Sequence, residues 1–112
     1  MTHKLGTYSL ASEPNKLTRA GAQLFEIDDY DQPFVTPCSA WLAHKLIAEP
    51  HNQQIYDLFI GEIVGAWLDI RVFKNGHWQF EKTDSALRSL HYIAGGNIYS
   101  IGDSISVPNP LE

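Results

Sequence analysis

The longest run of apolar positions, Ile55 to Ile70, is apolar on both faces except at Asp57, Glu62 and Asp69. It is rich in β-branched and aromatic residues, and Gly61 and Gly65 interrupt it. That length and those glycines predict a long bent strand of a barrel rather than a helix. Upstream, Cys38 to Ile47 predicts a second strand, weakened at Ala43, His44 and Lys45, and Pro50 to Gln54 reads as a polar turn between the two. Downstream, Asn75-Gly76 is a hairpin signal, because both residues tolerate positive φ in a two-residue turn. Val72-Phe73 and Trp78 to Phe80 are its expected arms. Ile98 to Val107 alternates and predicts another strand.

Helical signals are short. Residues 12–21 predict a helix with Ser12 as N-cap, Glu13 at the positive end, Pro14 in the first turn and Gly21 as the stop. Thr83 to Leu90 predicts a second helix, capped by Thr83, with Gly95-Gly96 closing that region. Residues 22–37 read as a surface segment carrying Asp28, Asp29 and Asp31. The expected fold class is mainly β with short helices, a small barrel or sandwich.

Composition narrows the function classes. At 112 residues the chain is expected to be a single domain, 1–112. Its net charge of −5 argues against nucleic acid as partner, since phosphate-backbone affinity needs clustered Lys and Arg. The one cysteine, Cys38, has no basic neighbour and reads as a buried, inert thiol. No apolar stretch approaches the roughly 20 residues of a membrane span, and residues 1–10 carry no signal-peptide core. These features predict a soluble cytoplasmic protein with no membrane partner. The five histidines, His3, His44, His51, His77 and His91, have no metal-ligand spacing, so no metal site is expected. No nucleophile elbow or phosphate loop is present. The catalytic set expected from side chains alone is therefore empty. Glu62 reads either as a site-orienting carboxylate or as an edge or interface salt-bridge partner. Trp41, Trp67 and Trp78 read either as ring-stacking groups or as core aromatics.

Three stretches add a resemblance. They are Glu49 to Val64 with its Leu58-Phe59-Ile60-Gly61-Glu62-Ile63-Val64, Cys38 to Ile47 with Trp41, and Leu90-His91-Tyr92-Ile93-Ala94-Gly95-Gly96-Asn97-Ile98-Tyr99-Ser100-Ile101-Gly102. In this order and separation they resemble the flavin reductase-like family, whose fold is the FMN-binding split barrel. Asn75-Gly76 and Trp78 stand where relatives have an N-G-x-W segment. The resemblance covers roughly residues 6 to 105 and is to the C-terminal portion of the family domain. It implies a partial split β-barrel lacking the family's N-terminal strands, which carry much of the flavin cradle. It also implies a homodimer, FMN as cofactor and NAD(P)H as co-substrate, with hydride passing from nicotinamide to flavin.

The site residues implied are Ser12, Asn15, Lys16, His91, Tyr92, Gly95 and Gly96. Where the family has an Asp-Lys-Phe type motif, this chain reads Asn15-Lys16-Leu17, so Asn replaces the carboxylate and Leu the aromatic. Lys16 is read either as a cation near the flavin phosphate or ring oxygen, or as an exposed helix lysine. His91 and Tyr92 either border flavin or nicotinamide or pack at a helix end. Gly95 and Gly96 either let backbone approach a flat ring or form a turn needing positive φ. The alternative function is a non-catalytic β-domain, or a truncated gene product, that self-associates or pairs with a partner supplying strands.

Overall fold

The computed structural model describes residues 2–111. The chain is mainly β with a few short helices, as expected. In order it runs α1 (Thr2–Thr7), α2 (Lys16–Ala20), β1 (Gln23–Phe25), β2 (Phe34–Thr36), β3 (Ala40–Ile47), α3 (Pro50–Tyr56), β4 (Ile60–Leu68), β5 (Phe73–Lys74), β6 (His77–Trp78), β7 (Leu90–Ala94) and β8 (Asn97–Ser100). Two 3-10 turns, Phe80–Lys82 and Ser85–Leu87, lie between β6 and β7. Contacts group the chain into two compact units, Met1–Leu68 and Asp69–Glu112.

In the first unit the strands pair antiparallel as β1 with β2 and β3 with β4. The segment read as a plain surface stretch, 22–37, thus holds two three-residue strands. They are too short to produce a legible alternation, yet Phe25 and Phe34 face each other across them. Phe34 and Ala43 are buried. Around Phe34 stand Phe25, Tyr30 and Trp67, with ring centroids 5.6, 6.4 and 5.2 Å away. Phe25 meets Trp41 edge-on at 5.6 Å, and the Trp41 indole N–H donates to the Val35 carbonyl at 2.8 Å. Trp41 and Trp67 are therefore half-buried members of an aromatic cluster, with the Trp41 indole N–H satisfied.

The β3–β4 register runs from Ala40↔Leu68 to Ile47↔Ile60, with a bulge at Ala43/His44 where Val64 is the extra residue. The predicted strand 55–70 is shorter than expected, because Ile55 and Tyr56 belong to α3. Pro50 at the helix start presets φ and lacks only an N–H that would have no helical partner. Asp57 in the left-handed region (φ 51°) ends the helix, and Leu58 N–H donates back to Asn52 C=O at 3.1 Å. The polar turn at Pro50 to Gln54 is thus the first part of this helix.

The helix expected over 12–21 shrinks to Lys16–Ala20. Ser12 does not cap it; Asn15 precedes the helix without a side-chain bond. Gly21 stops it in the left-handed region, as predicted. The helix α1 was not anticipated; it ends with Lys4 in its last turn. Cys38 is exposed, contrary to the buried thiol expected. It lies in the short connection between β2 and β3, outside either ladder. Glu62 is also exposed and stands across from Lys45, so the long strand carries no buried carboxylate there.

In the second unit Asn75 (φ 52°) and Gly76 (φ 76°) make the expected two-residue turn, pairing Phe73 with Trp78 and Lys74 with His77. Val72 and Phe80 are buried beside it. Trp78 is exposed and stacks on Phe80 at 5.1 Å with 7° between planes. The helix expected over 83–90 is absent. Asp84, not Thr83, caps the Ser85–Leu87 turn by accepting from Ala86 N–H at 2.9 Å. A single turn fixes several dihedrals for one hydrogen bond, and Arg88 is already extended. Leu90 starts β7, and Gly95 (φ 58°) and Gly96 (φ 82°) turn the chain into β8. The strand predicted over 98–107 ends at Ser100. Beyond it, Ile101 N–H reaches Ser89 C=O at 3.0 Å, and Arg88 holds Ile101 C=O (3.1 Å) and the Asp103 carboxylate (2.6 Å).

Candidate functional site

The corner between α1 and α2 gathers positive charge. The Lys16 ammonium donates to the carbonyls of Leu5 (2.8 Å) and Tyr8 (2.5 Å). A helix leaves its last carbonyls without helical partners, and a cation there satisfies both the hydrogen bonds and the negative end of the helix dipole. Arg19, one turn along α2, pairs with Glu13. Lys4, Tyr8, Glu13, Lys16, Arg19 and Ala20 bound a hollow of about 170 Å³. With three cations against one carboxylate, it favours a small anion. It is smaller than the roughly 300–1,000 Å³ of pockets that enclose a drug-sized ligand.

Of the residues inferred from sequence, Lys16 lines this hollow. Ser12 and Asn15 lie in the same corner but do not line it. Ser12 Oγ donates to Ser9 C=O at 3.1 Å, and Asn15 C=O accepts from Arg19 N–H at 2.9 Å. Lys4, Tyr8 and Arg19 join Lys16 in the hollow although nothing in the sequence marks them as site residues. Lys16 and Arg19 are three apart on α2, whereas Tyr8 lies just past the end of α1 and meets them only in the folded chain.

His91 and Tyr92 are exposed on β7, opposite Tyr99 and Ile98 of β8. As successive strand residues they point to opposite faces, and neither sits at a helix end. A side chain at Gly96 would meet nothing within 4 Å, and one at Gly95 only the Asn97 amide at 3.9 Å. Both glycines serve the positive-φ turn.

Beside β4, Asp69 accepts from the Arg71 backbone N–H at 2.9 Å and from its guanidinium at 2.6 and 3.0 Å. The side-chain bond chiefly, then the backbone bond, holds the Asp69 carboxyl below its ordinary value of 3.8. A depressed folded pKa means this contact stabilises above the ordinary value and is lost as pH falls through the folded one. The stability difference between wild type and Asp69→Asn in urea melts should therefore stay constant from pH 7 to about 4 and shrink below it. A difference that grows on acidification contradicts this assignment.

Among the described residues no group of three His, Cys, Asp or Glu is placed to hold a metal ion, and no helix is long and apolar enough to cross a membrane.

No family model matches the chain. Over 69 residues it is 36% identical to the uncharacterized protein YddH of Escherichia coli K12, a match covering 62% of this chain and 35% of that protein. Its backbone superposes with a TM-score of 0.90 on the crystal structure of an FMN-binding domain of a flavin reductases-like enzyme from Shewanella baltica OS155. The two are 55% identical, over 95% of this chain and 56% of that one. The chain thus spans about half the length of that structure and a third of YddH. Within that share, the resemblance to a flavin reductase-like FMN-binding domain holds in sequence and in backbone.

Proposed function

We propose that this chain is a domain portion of an FMN-binding, NAD(P)H-dependent flavin reductase-like protein, acting as a homodimer in the cytoplasm. The observation that carries the proposal is the 55% identity to the Shewanella baltica FMN-binding domain across 95% of this chain.

The residues present fit one end of FMN. The hollow at α1 and α2 suits a phosphate group by size and charge, and it is too small for a tricyclic ring. Two of the three ammonium protons of Lys16 are committed to Leu5 and Tyr8, leaving one for a phosphate oxygen. Lys4 and Arg19 supply the further positive charge. Ser12 and Asn15, in the same corner of the first unit as Lys16, and His91, Tyr92, Gly95 and Gly96, in the second unit, are the further residues that the family resemblance gives to flavin or nicotinamide. When bound, FMN supplies a ring that accepts a hydride from NAD(P)H and passes the electrons to an acceptor. No side chain of this chain is needed as nucleophile or metal ligand. Its residues bind and orient.

Lys16→Gln should weaken FMN binding about tenfold, the value of one charge-assisted hydrogen bond, and leave riboflavin binding unchanged. Equal losses for both flavins place the effect in helix packing instead. The activity is tested by adding NADH or NADPH to the chain with excess FMN under anaerobic conditions. Loss of the nicotinamide absorbance in step with flavin bleaching, faster than without protein, is expected. A rate equal to the protein-free mixture overturns the hydride-transfer reading.

A further inference from the structure

The hollow at α1 and α2 is not wholly basic. Glu13 lines it together with Lys4, Tyr8, Lys16 and Arg19, and its carboxylate pairs with the Arg19 guanidinium. The Glu13 side chain is 25% exposed and that of Arg19 72%, so the pair stands at the solvent side of the hollow. Both backbones are fixed independently of it. Glu13 N–H donates to Ser9 C=O at 2.9 Å, and Glu13 C=O accepts from Lys16 N–H at 3.0 Å. Arg19 N–H donates to Asn15 C=O at 2.9 Å. The two side chains can therefore part without any movement of the chain.

The cations of the hollow differ in what holds them. Lys16 is anchored by the carbonyls of Leu5 and Tyr8, neutral groups that leave its charge uncompensated. Arg19 is the one whose printed counter-charge is another side chain. Three cations around a space of about 170 Å³ repel one another, and Glu13 offsets part of that repulsion. An ion pair as exposed as Arg19 with Glu13 is worth little in water. A phosphate dianion is the stronger partner. The planar guanidinium meets two of its oxygens at once, and it carries twice the charge of a carboxylate. Within so small a space a phosphate and the Glu13 carboxylate also repel each other. Arg19 therefore goes to the phosphate.

We infer that Glu13 holds the ligand's place on Arg19 in the absence of phosphate, and that a phosphate group entering the hollow takes the guanidinium over from it. Glu13 is thus a resident competitor. It neutralises the cation cluster without ligand and lowers the affinity of the hollow for phosphate. Lys16 has no part in this exchange, because its bonds to Leu5 and Tyr8 persist. The inference rests on the reading of this hollow as the phosphate site.

The test is a cycle of Glu13→Gln and Arg19→Gln in the full chain, read by calorimetric titration with inorganic phosphate at constant ionic strength. Glu13→Gln should bind phosphate about three- to tenfold tighter than wild type, because neither an exposed ion pair nor a like charge then opposes the ligand. Arg19→Gln should bind it more weakly, and adding Glu13→Gln to that variant should change the affinity by about twofold or less. Phosphate should also raise the melting temperature of Glu13→Gln more than that of wild type, which a folding defect alone would not produce. Unchanged or weaker phosphate binding in Glu13→Gln overturns the inference, since Glu13 then only orients Arg19. A gain that persists in full without Arg19 overturns it too, since the carboxylate then acts only through space. So does a lack of phosphate binding in both wild type and Glu13→Gln. A chain that shows this cycle with phosphate but binds no FMN upholds the inference and removes the flavin reading. FMN binding with no phosphate response in any variant does the reverse.

Discussion

Phe34→Ala is expected to cost about 3–5 kcal/mol, enough to unfold most of the Met1–Leu68 unit. Phe34 is one of the few buried apolar side chains among the described residues, and it is the hub of the aromatic cluster. Phe25, Tyr30 and Trp67 all meet its ring, and Trp67 joins β4 to Phe34 of β2 and to Tyr30 in the β1–β2 connection. Truncation removes transfer energy and leaves a cavity bounded by rigid rings, which collapse poorly. The cluster holds two of the three tryptophans, so urea titration followed by fluorescence reads it directly. A midpoint close to wild type would show that the cluster does not hold this unit together.

Gly65→Ala is expected to destabilise by about 1–3 kcal/mol, although alanine is the better strand residue by roughly 0.5–1 kcal/mol. Overpacking decides the sign. A Cβ at this position would stand 2.6 Å from the Trp67 ring and 2.6 Å from the Tyr30 hydroxyl. Tyr30 is held there by its hydrogen bond to Val64 C=O at 3.2 Å and by its edge contact with Trp67 at 4.9 Å. Neither ring can withdraw without breaking the cluster. Because the clash is mutual, Tyr30→Ala combined with Gly65→Ala should cost less than the sum of the two single changes. Additive losses in that cycle would show that the glycine serves backbone freedom instead.

The parts of this fold legible from sequence are those decided locally. Asn75-Gly76 announces its turn because few residue pairs accept two positive φ values. Gly21 and the apolar run at 60–68 are equally plain. Elements fixed by tertiary contact were not legible. The helix α3 is hidden because Ile55 and Tyr56 continue an apolar run into the next strand. Strands β1 and β2 are three residues each and exist because Phe25 and Phe34 are held by Trp41 and Trp67. Thr83 to Leu90 carries helix-like spacing, yet Asp84 and the extended Arg88 divide it.

The candidate site follows the same rule. Lys16 was reachable only through the family resemblance, since nothing around residues 15–17 marks a binding group by itself. Lys4, Tyr8 and Arg19 come to its hollow through the packing of α1 on α2. Such convergence has no signature in a linear sequence. Cys38 and Glu62 show the converse. Apolar neighbours in sequence suggested burial, but a connection between strands and a two-stranded sheet leave both in solvent.

The most direct test is a titration of FMN into the purified chain, followed by flavin fluorescence. The account predicts saturable quenching, weaker than submicromolar, that inorganic phosphate competes away through the Lys4–Lys16–Arg19 hollow. Fluorescence that stays constant up to millimolar flavin contradicts it.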